Sequence, residues 1–223
     1  MTRNVMLTED YLIRQINIIL ANLGRILGFK TAYMFIEAQI AVNDALQELF
    51  NIPADIVRQL DDQALLDTLT YLDVVNTDKL QLAADIFKEE GDLYAMRGQT
   101  GDSTTSYQRA LNFYLDAVLN GGAWNLDDPA EKIEECLEKL ADQQLDPDTY
   151  YGLYLYAGQR GQYPRAILLL DHLATYPELE EEIQQQRREL LETLSGLEPE
   201  ALEEGGLSPA ELETLQARWV FLA

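Results

Sequence analysis

Cysteine and histidine are almost missing from this chain. Cys136 is its one thiol and His172 its one imidazole. That excludes an intramolecular disulfide framework, multi-cysteine zinc sites, and most histidine-based metal centres and catalytic triads. Basic residues are scarce: 16 stand against 39 acidic ones, a net charge of −23. Such a surface repels phosphate, so general nucleic-acid binding is excluded. No apolar run approaches the roughly 18–20 residues that cross a bilayer. The longest greasy stretch, between Arg14 and Arg25, holds ten uncharged residues. The segment from Met1 to Asp10 does not read as a secretory signal, because Glu9 and Asp10 interrupt its apolar part. One cysteine and no export signal make the reducing cytoplasm the expected compartment.

Chemical motifs are missing as well. Gly121-Gly122 and Gly98-Gln99-Thr100-Gly101 lack the Gly-Lys-Ser/Thr ending of a phosphate loop and read as turns. No calcium-loop pattern occurs. The run Glu180-Glu181-Glu182 opens a helix, where negative charge is favourable. His172 follows Asp171 in an apolar helix and reads as structural. Cys136 lies among Glu134, Glu135 and Glu138, which raise a thiol pKa and argue against a reactive thiolate. Neither catalytic residues nor a cofactor or metal site is expected. An enzyme reading would need a pocket with convergent polar groups.

What the 223 residues do contain is helical periodicity throughout, with hydrophobic residues at 47%, enough for a sizeable core. Leu12, Ile16, Ile19, Leu23 and Ile26 form the stripe of a helix over 8–28, with Thr8 as its cap and Gly28 at its end. Phe35, Ala38, Val42, Ala45 and Leu49 do the same for 31–50. Pro53 opens a short helix and 61–70 forms another. Asp128-Pro129-Ala130-Glu131 and Ser208-Pro209-Ala210-Glu211 have capping-box spacing, and Asp146-Pro147 and Tyr176-Pro177 mark two more starts. The remaining helices are therefore expected near 79–98, 102–119, 129–143, 148–160, 163–175, 177–194 and 208–221. No segment reads as an alternating strand. Leu212, Leu215, Trp219 and Leu222 share a stripe on the last helix, and 197–206 reads as a mobile acidic linker.

Residues 87–110 run Phe87-x-x-Glu90-Gly91-x-x-Tyr94, then Gly98, Ser103-x-x-x-Tyr107 and Ala110. This resembles the tetratricopeptide repeat, with Glu90 in place of the usual leucine and Leu115 where a proline would end the second helix. A partial second copy, Gly161-x-Tyr163-x-x-Ala166, follows Tyr150 and precedes Pro177, with Tyr154 in place of the first-helix glycine. The resemblance covers about 79–175. Glu9-Asp10-Tyr11-Leu12, Glu89-Glu90-Gly91-Asp92-Leu93 and Tyr107-x-Arg109-Ala110-Leu111 also resemble a group of small bacterial proteins of unassigned function. The expected fold is all-α: antiparallel helical hairpins, a tetratricopeptide-like repeat section and an N-terminal helical hairpin. Its expected parts are 1–75, 76–195 and 196–223, joined in one compact unit.

The resemblance implies a peptide- or helix-binding concave surface. Lys88 and Asp92 in the first copy and Asp148, Tyr151 and Leu155 in the second would face it. Lys88 matches a lysine that family members use to grip a C-terminal carboxylate. Tyr94, Tyr107, Tyr150 and Tyr154 read instead as core residues. Residues 1–36 carry a net charge of +2 and the remainder −25. An acidic body favours a basic or amphipathic protein partner. The sequence therefore points to a non-catalytic interaction or self-assembly module. A peripheral membrane protein using helix 8–28 is the alternative, and a helical enzyme the other. Gly24-x-x-x-Gly28 indicates close helix approach or a C-cap. If the N-terminal stripe is wider than one helix can cover, self-association would bury the excess.

Overall fold

A computed structural model describes the backbone of residues 2–71, 74–121, 126 and 128–220, and side chains between 13 and 219 within those ranges, Tyr71 excepted. Leu12, Gly122 and Leu222 lie outside the residues or side chains described. The chain is all-α and divides into two compact units, Met1–Gln144 and Leu145–Ala223. Their border falls inside the expected 76–195 segment.

In the first unit, α1 (Thr2–Thr31) and α2 (Phe35–Phe50) form an antiparallel hairpin, followed by α3 (Ala54–Gln59) and α4 (Asp62–Leu69). The α1 stripe is realised: Ile19, Leu23 and Ile26 are buried with Ala38, Val42, Ala45 and Leu49 of α2. Gly28 does not end α1. The helix continues one turn to Thr31, and the chain reverses at Tyr33, whose φ is 58°. Asp61 caps α4 by accepting from the Ala64 N–H at 2.7 Å. A two-residue antiparallel pair, β1 (Thr70–Tyr71) with β2 (Val74–Val75), stands where no strand was expected.

A second hairpin of this unit comprises α5 (Thr77–Met96) and α6 (Thr100–Leu119), with α7 (Ala130–Lys139) packed on α6 and ending before residue 143. Gly98 makes the turn with φ +73°, a conformation nearly free of steric cost only for glycine. Gly91 is where the two helices close: a Cβ there would lie 2.8 Å from two ring carbons of Tyr107. Ser103 Oγ donates to the Gly91 carbonyl at 2.9 Å across the same contact. Because α1 and α2 also pack on α5, the N-terminal hairpin and the α5–α6 hairpin share one body.

The second unit contains α8 (Pro147–Gln159), α9 (Tyr163–Leu173), a 3-10 turn at Pro177–Leu179, α10 (Glu180–Ser195), α11 (Pro199–Glu204) and α12 (Pro209–Val220). Asp146 caps α8 through the Thr149 N–H at 2.8 Å. Ser208 and Glu211 complete their capping box, which lowers the Glu211 pKa through the side-chain and then the backbone hydrogen bond from Ser208. The acidic stretch 197–206 packs on this unit's core through a short helix. It contains α11, Leu202 is buried in this unit's core, and a Cβ on Gly205 would fall inside the Tyr163 ring contact at 2.3 Å. The negative charges stay outside while Leu202 anchors the segment. Leu212, Leu215 and Trp219 of α12 are buried as well.

Candidate functional site

Charge is concentrated along α5. Asp85, Lys88, Glu89, Glu90 and Asp92 lie on a helix whose flanks α1, α2, α6 and α7 cover, so each charge needs a partner. Lys30 of α1 donates to Glu89 and to Asp92, the latter at 2.7 Å. Arg58 of α3 donates to Glu90 from Nε at 2.9 Å and from a terminal nitrogen at 2.6 Å. Glu90 also accepts from Gln39 at 3.2 Å and Ser106 at 3.4 Å. Asp85 accepts from Lys132 at 2.6 Å and from the buried Tyr114 hydroxyl. Arg109 binds Asp62 at 2.8 Å and the Leu60 carbonyl at 2.7 Å, with its guanidinium over the Phe87 ring.

Lys88 and Asp92, the first-copy candidates, are consumed by this network. Lys88 has a side chain 17% exposed and pairs with Glu135 at 2.7 Å. Burial opposes its charge, but the Glu135 hydrogen bond and the nearby Glu89 and Asp92 outweigh it and raise its pKa. Burial likewise opposes the charge on Asp92, and hydrogen bonds from Lys30 and Tyr107 outweigh it, so its pKa is lowered. Gripping a foreign carboxylate with Lys88 would require taking it from Glu135.

The second-copy candidates belong to the other unit. Asp148 is exposed in the first turn of α8. Tyr151 and Leu155 are half-buried against that unit's core, Tyr151 with its ring 5.8 Å from Tyr154. Tyr107 and Tyr154 are buried, while Tyr94 and Tyr150 are half-buried. His172 lies between the rings of Tyr150 and Tyr176. The Cys136 pKa is pushed up to about 12, chiefly by burial rather than by its acidic neighbours.

Two cavities have distinct character. One of about 150 Å³ is polar, lined by Arg58, Glu90, Tyr94, Ser106 and Arg109, and its two guanidiniums already hold carboxylates. The other, about 370 Å³, is a mostly apolar groove in the second unit between α9 and α12, lined by Ile167, Leu168, Leu207 and Leu215, with the Asp171–Arg218 pair beside them. Among the described residues no cluster of three or more His, Cys, Asp or Glu could hold a metal ion, and no helix is long and apolar enough to cross a membrane.

The surface left open is the outer face of the first hairpin. Of twelve large hydrophobic side chains exposed among the described residues, eight lie between Ile13 and Ile40. On α1 they include Ile13, Leu20 and Leu27, and on α2 Ile36 and Ile40. The stripe 12-16-19-23-26 describes the covered side of α1. The spacing of seven in 13-20-27 was readable as a second apolar stripe, and the structure leaves that stripe uncovered. Compared with known proteins, the chain matches no family model, no curated protein and no solved structure.

Proposed function

We propose that this chain is a non-catalytic protein-interaction module of the cytoplasm whose working surface is the outer face of the α1–α2 hairpin. The concentration of exposed large apolar side chains between Ile13 and Ile40 carries this reading. Isolated exposed leucines are ordinary on a monomer, but so many on one hairpin favour an interaction site. The same segment is the part of the chain that is not acidic, so another protein approaches it with little electrostatic penalty. In this reading the α5–α6 and α8–α9 hairpins are tetratricopeptide-like scaffolding. The Gly91–Tyr107 approach and the positive-φ turns at Gly98 and Gly161 support that assignment.

The membrane alternative draws less support. A lipid-binding helix needs several free cations beside its apolar stripe, whereas of the three whose side chains are described on α1 two are paired, Arg25 with Asp44 and Lys30 with Glu89 and Asp92. A photo-crosslinking amino acid placed in turn at 27, 36 and 40 of the full chain, in the native cell, tests the proposal. Adducts with protein at these positions, and none from 151 or 155, are the expected result. Adducts with lipid alone, or protein adducts only from 151 and 155, would overturn it.

A further inference from the structure

The covered face of α1 is accounted for by its neighbours. Gln15 donates to the Glu48 carbonyl of α2 at 2.7 Å, Arg25 reaches Asp44 of α2, and Lys30 reaches α5. Between a third and a half of a turn around the helix from Arg25 and Gln15, six residues follow one another at steps of four and three: Ile13, Asn17, Leu20, Gly24, Leu27 and Thr31. All six are exposed. Steps of four and three are the seam of a coiled coil, here with a large apolar residue at every second position.

Gly24 and Gly28 add an independent observation. Both lie inside α1, where glycine costs helix stability. A Cβ at either position would meet nothing within 4 Å, so no packing within the chain requires a glycine there. Gly101 of α6 is equally open, but of the two only Gly24 lies in an apolar seam, where a helix brought close from outside has use for the space.

We propose that a second copy of this chain occupies the seam, with the two α1 helices antiparallel about a two-fold axis beside residue 22. In that register each large side chain falls opposite a small or polar one: Leu20 opposite the second copy's Gly24, Leu27 opposite its Asn17, and Ile13 opposite its Thr31. Two-fold symmetry repeats each layer, so the surface is complementary to itself. A parallel pair would set Gly24 against Gly24 and leave a hole at the centre. The seam contains no charged residue, and it joins two copies of a chain with net charge −23 at their non-acidic ends. A stretch of 19 residues is about 28 Å long. Pairing two such stretches buries roughly 1,000 Å², the lower bound for a specific interface. This inference rests on the hairpin face being an interaction surface and names its partner.

The test uses the purified full chain. Light scattering over a concentration series is expected to show a dimer, and Gly24→Leu to weaken it about tenfold or more by filling the notch that Leu20 enters. Open space around Gly24 means the protomer tolerates that change, and unaltered circular dichroism checks this. Register is read by mixing a Leu20→Cys variant with a Gly24→Cys variant under mild copper-phenanthroline oxidation. A mixed disulfide dimer exceeding either variant alone supports the antiparallel pairing, and the buried native Cys136 stays silent. A monomer at every concentration, a dimer untouched by Gly24→Leu, or a preference of each cysteine for itself would overturn it. If the chain is monomeric yet position 27 crosslinks to a different protein in the cell, this inference falls and the interaction function stands.

Discussion

Gly91→Ala places the heaviest demand on the structural reasoning. The added Cβ would lie 2.8 Å from two carbons of the Tyr107 ring and 3.1 Å from a third. Comfortable carbon contacts begin near ~3.5 Å. The ring cannot easily swing away, because its hydroxyl donates to Asp92 at 2.6 Å. The helices cannot easily separate, because Ser103 ties α6 to the Gly91 carbonyl at 2.9 Å. Overpacking of this kind costs about 1–3 kcal/mol, against which alanine recovers ~1 kcal/mol of helix propensity. The net expectation is a cost of about 0–2 kcal/mol, where an unobstructed change from glycine to alanine would gain ~1 kcal/mol. Urea denaturation followed by circular dichroism measures it, with hydrogen exchange of the α5 and α6 amides identifying the unit that opens. Gly101→Ala is the control, since a Cβ there meets nothing within 4 Å; it should stabilise by a few tenths to ~1 kcal/mol. Adding Tyr107→Leu to Gly91→Ala should remove most of the alanine's cost, a coupling of at least ~1 kcal/mol. If Gly91→Ala stabilises the protein as much as the Gly101→Ala control does, the argument that glycine permits this helix approach is wrong.

Three further outcomes are expected. Arg58→Met strands the Glu90 carboxylate, whose side chain is 2% exposed, and should cost about 2–3 kcal/mol in the same denaturation assay. Arg58→Met combined with Glu90→Met should recover more than half of that, and equal single and double costs would refute the stranded-charge argument. The Asp116 pKa is raised to about 6, first by burial and then by the charge of Asp62. A carboxyl whose folded pKa exceeds its unfolded value favours folding at low pH and loses that contribution as pH rises toward 6. Asp116→Asn should therefore raise Tm at pH 7.5 relative to the parent and change it little near pH 4, and a larger gain at the acidic end would contradict the assignment. Cys136, its pKa pushed up to about 12, should resist a thiol-specific disulfide reagent at pH 8 in the folded protein and react fully after denaturation; prompt native labelling would show that the thiol is accessible.

Much of the helical layout was legible because its signals are local. The Asp146 cap, the Ser208–Glu211 capping box and the glycine turns at 98 and 161 each involve residues within a few positions of one another, and each is realised. The same reading missed the last turn of α1 beyond Gly28 and the helix inside 197–206, for one reason. A glycine or an acidic run weakens a helix locally, but α1 is held past Gly28 by Lys30 binding α5, and α11 is held by Leu202 in the core. Tertiary burial overrode local propensity at both places.

The candidate residues show the limit more sharply. Lys88 was singled out because its position in a repeat-like pattern aims it at a groove, but whether a lysine is available depends on what stands near it. Glu135, forty-seven positions onward, is within 2.7 Å. The pairings of Lys30 with Asp92 and Arg58 with Glu90 likewise join residues 62 and 32 positions apart. The sequence by itself determined the all-α class, the caps and turns, the covered stripe of α1 and the uneven charge, since these depend on spacing and composition within a few turns. Only the tertiary structure decided which charges are already paired and which apolar stripe stays in water. Pairing and exposure are properties of neighbours brought together by folding, and no local pattern in the chain encodes them.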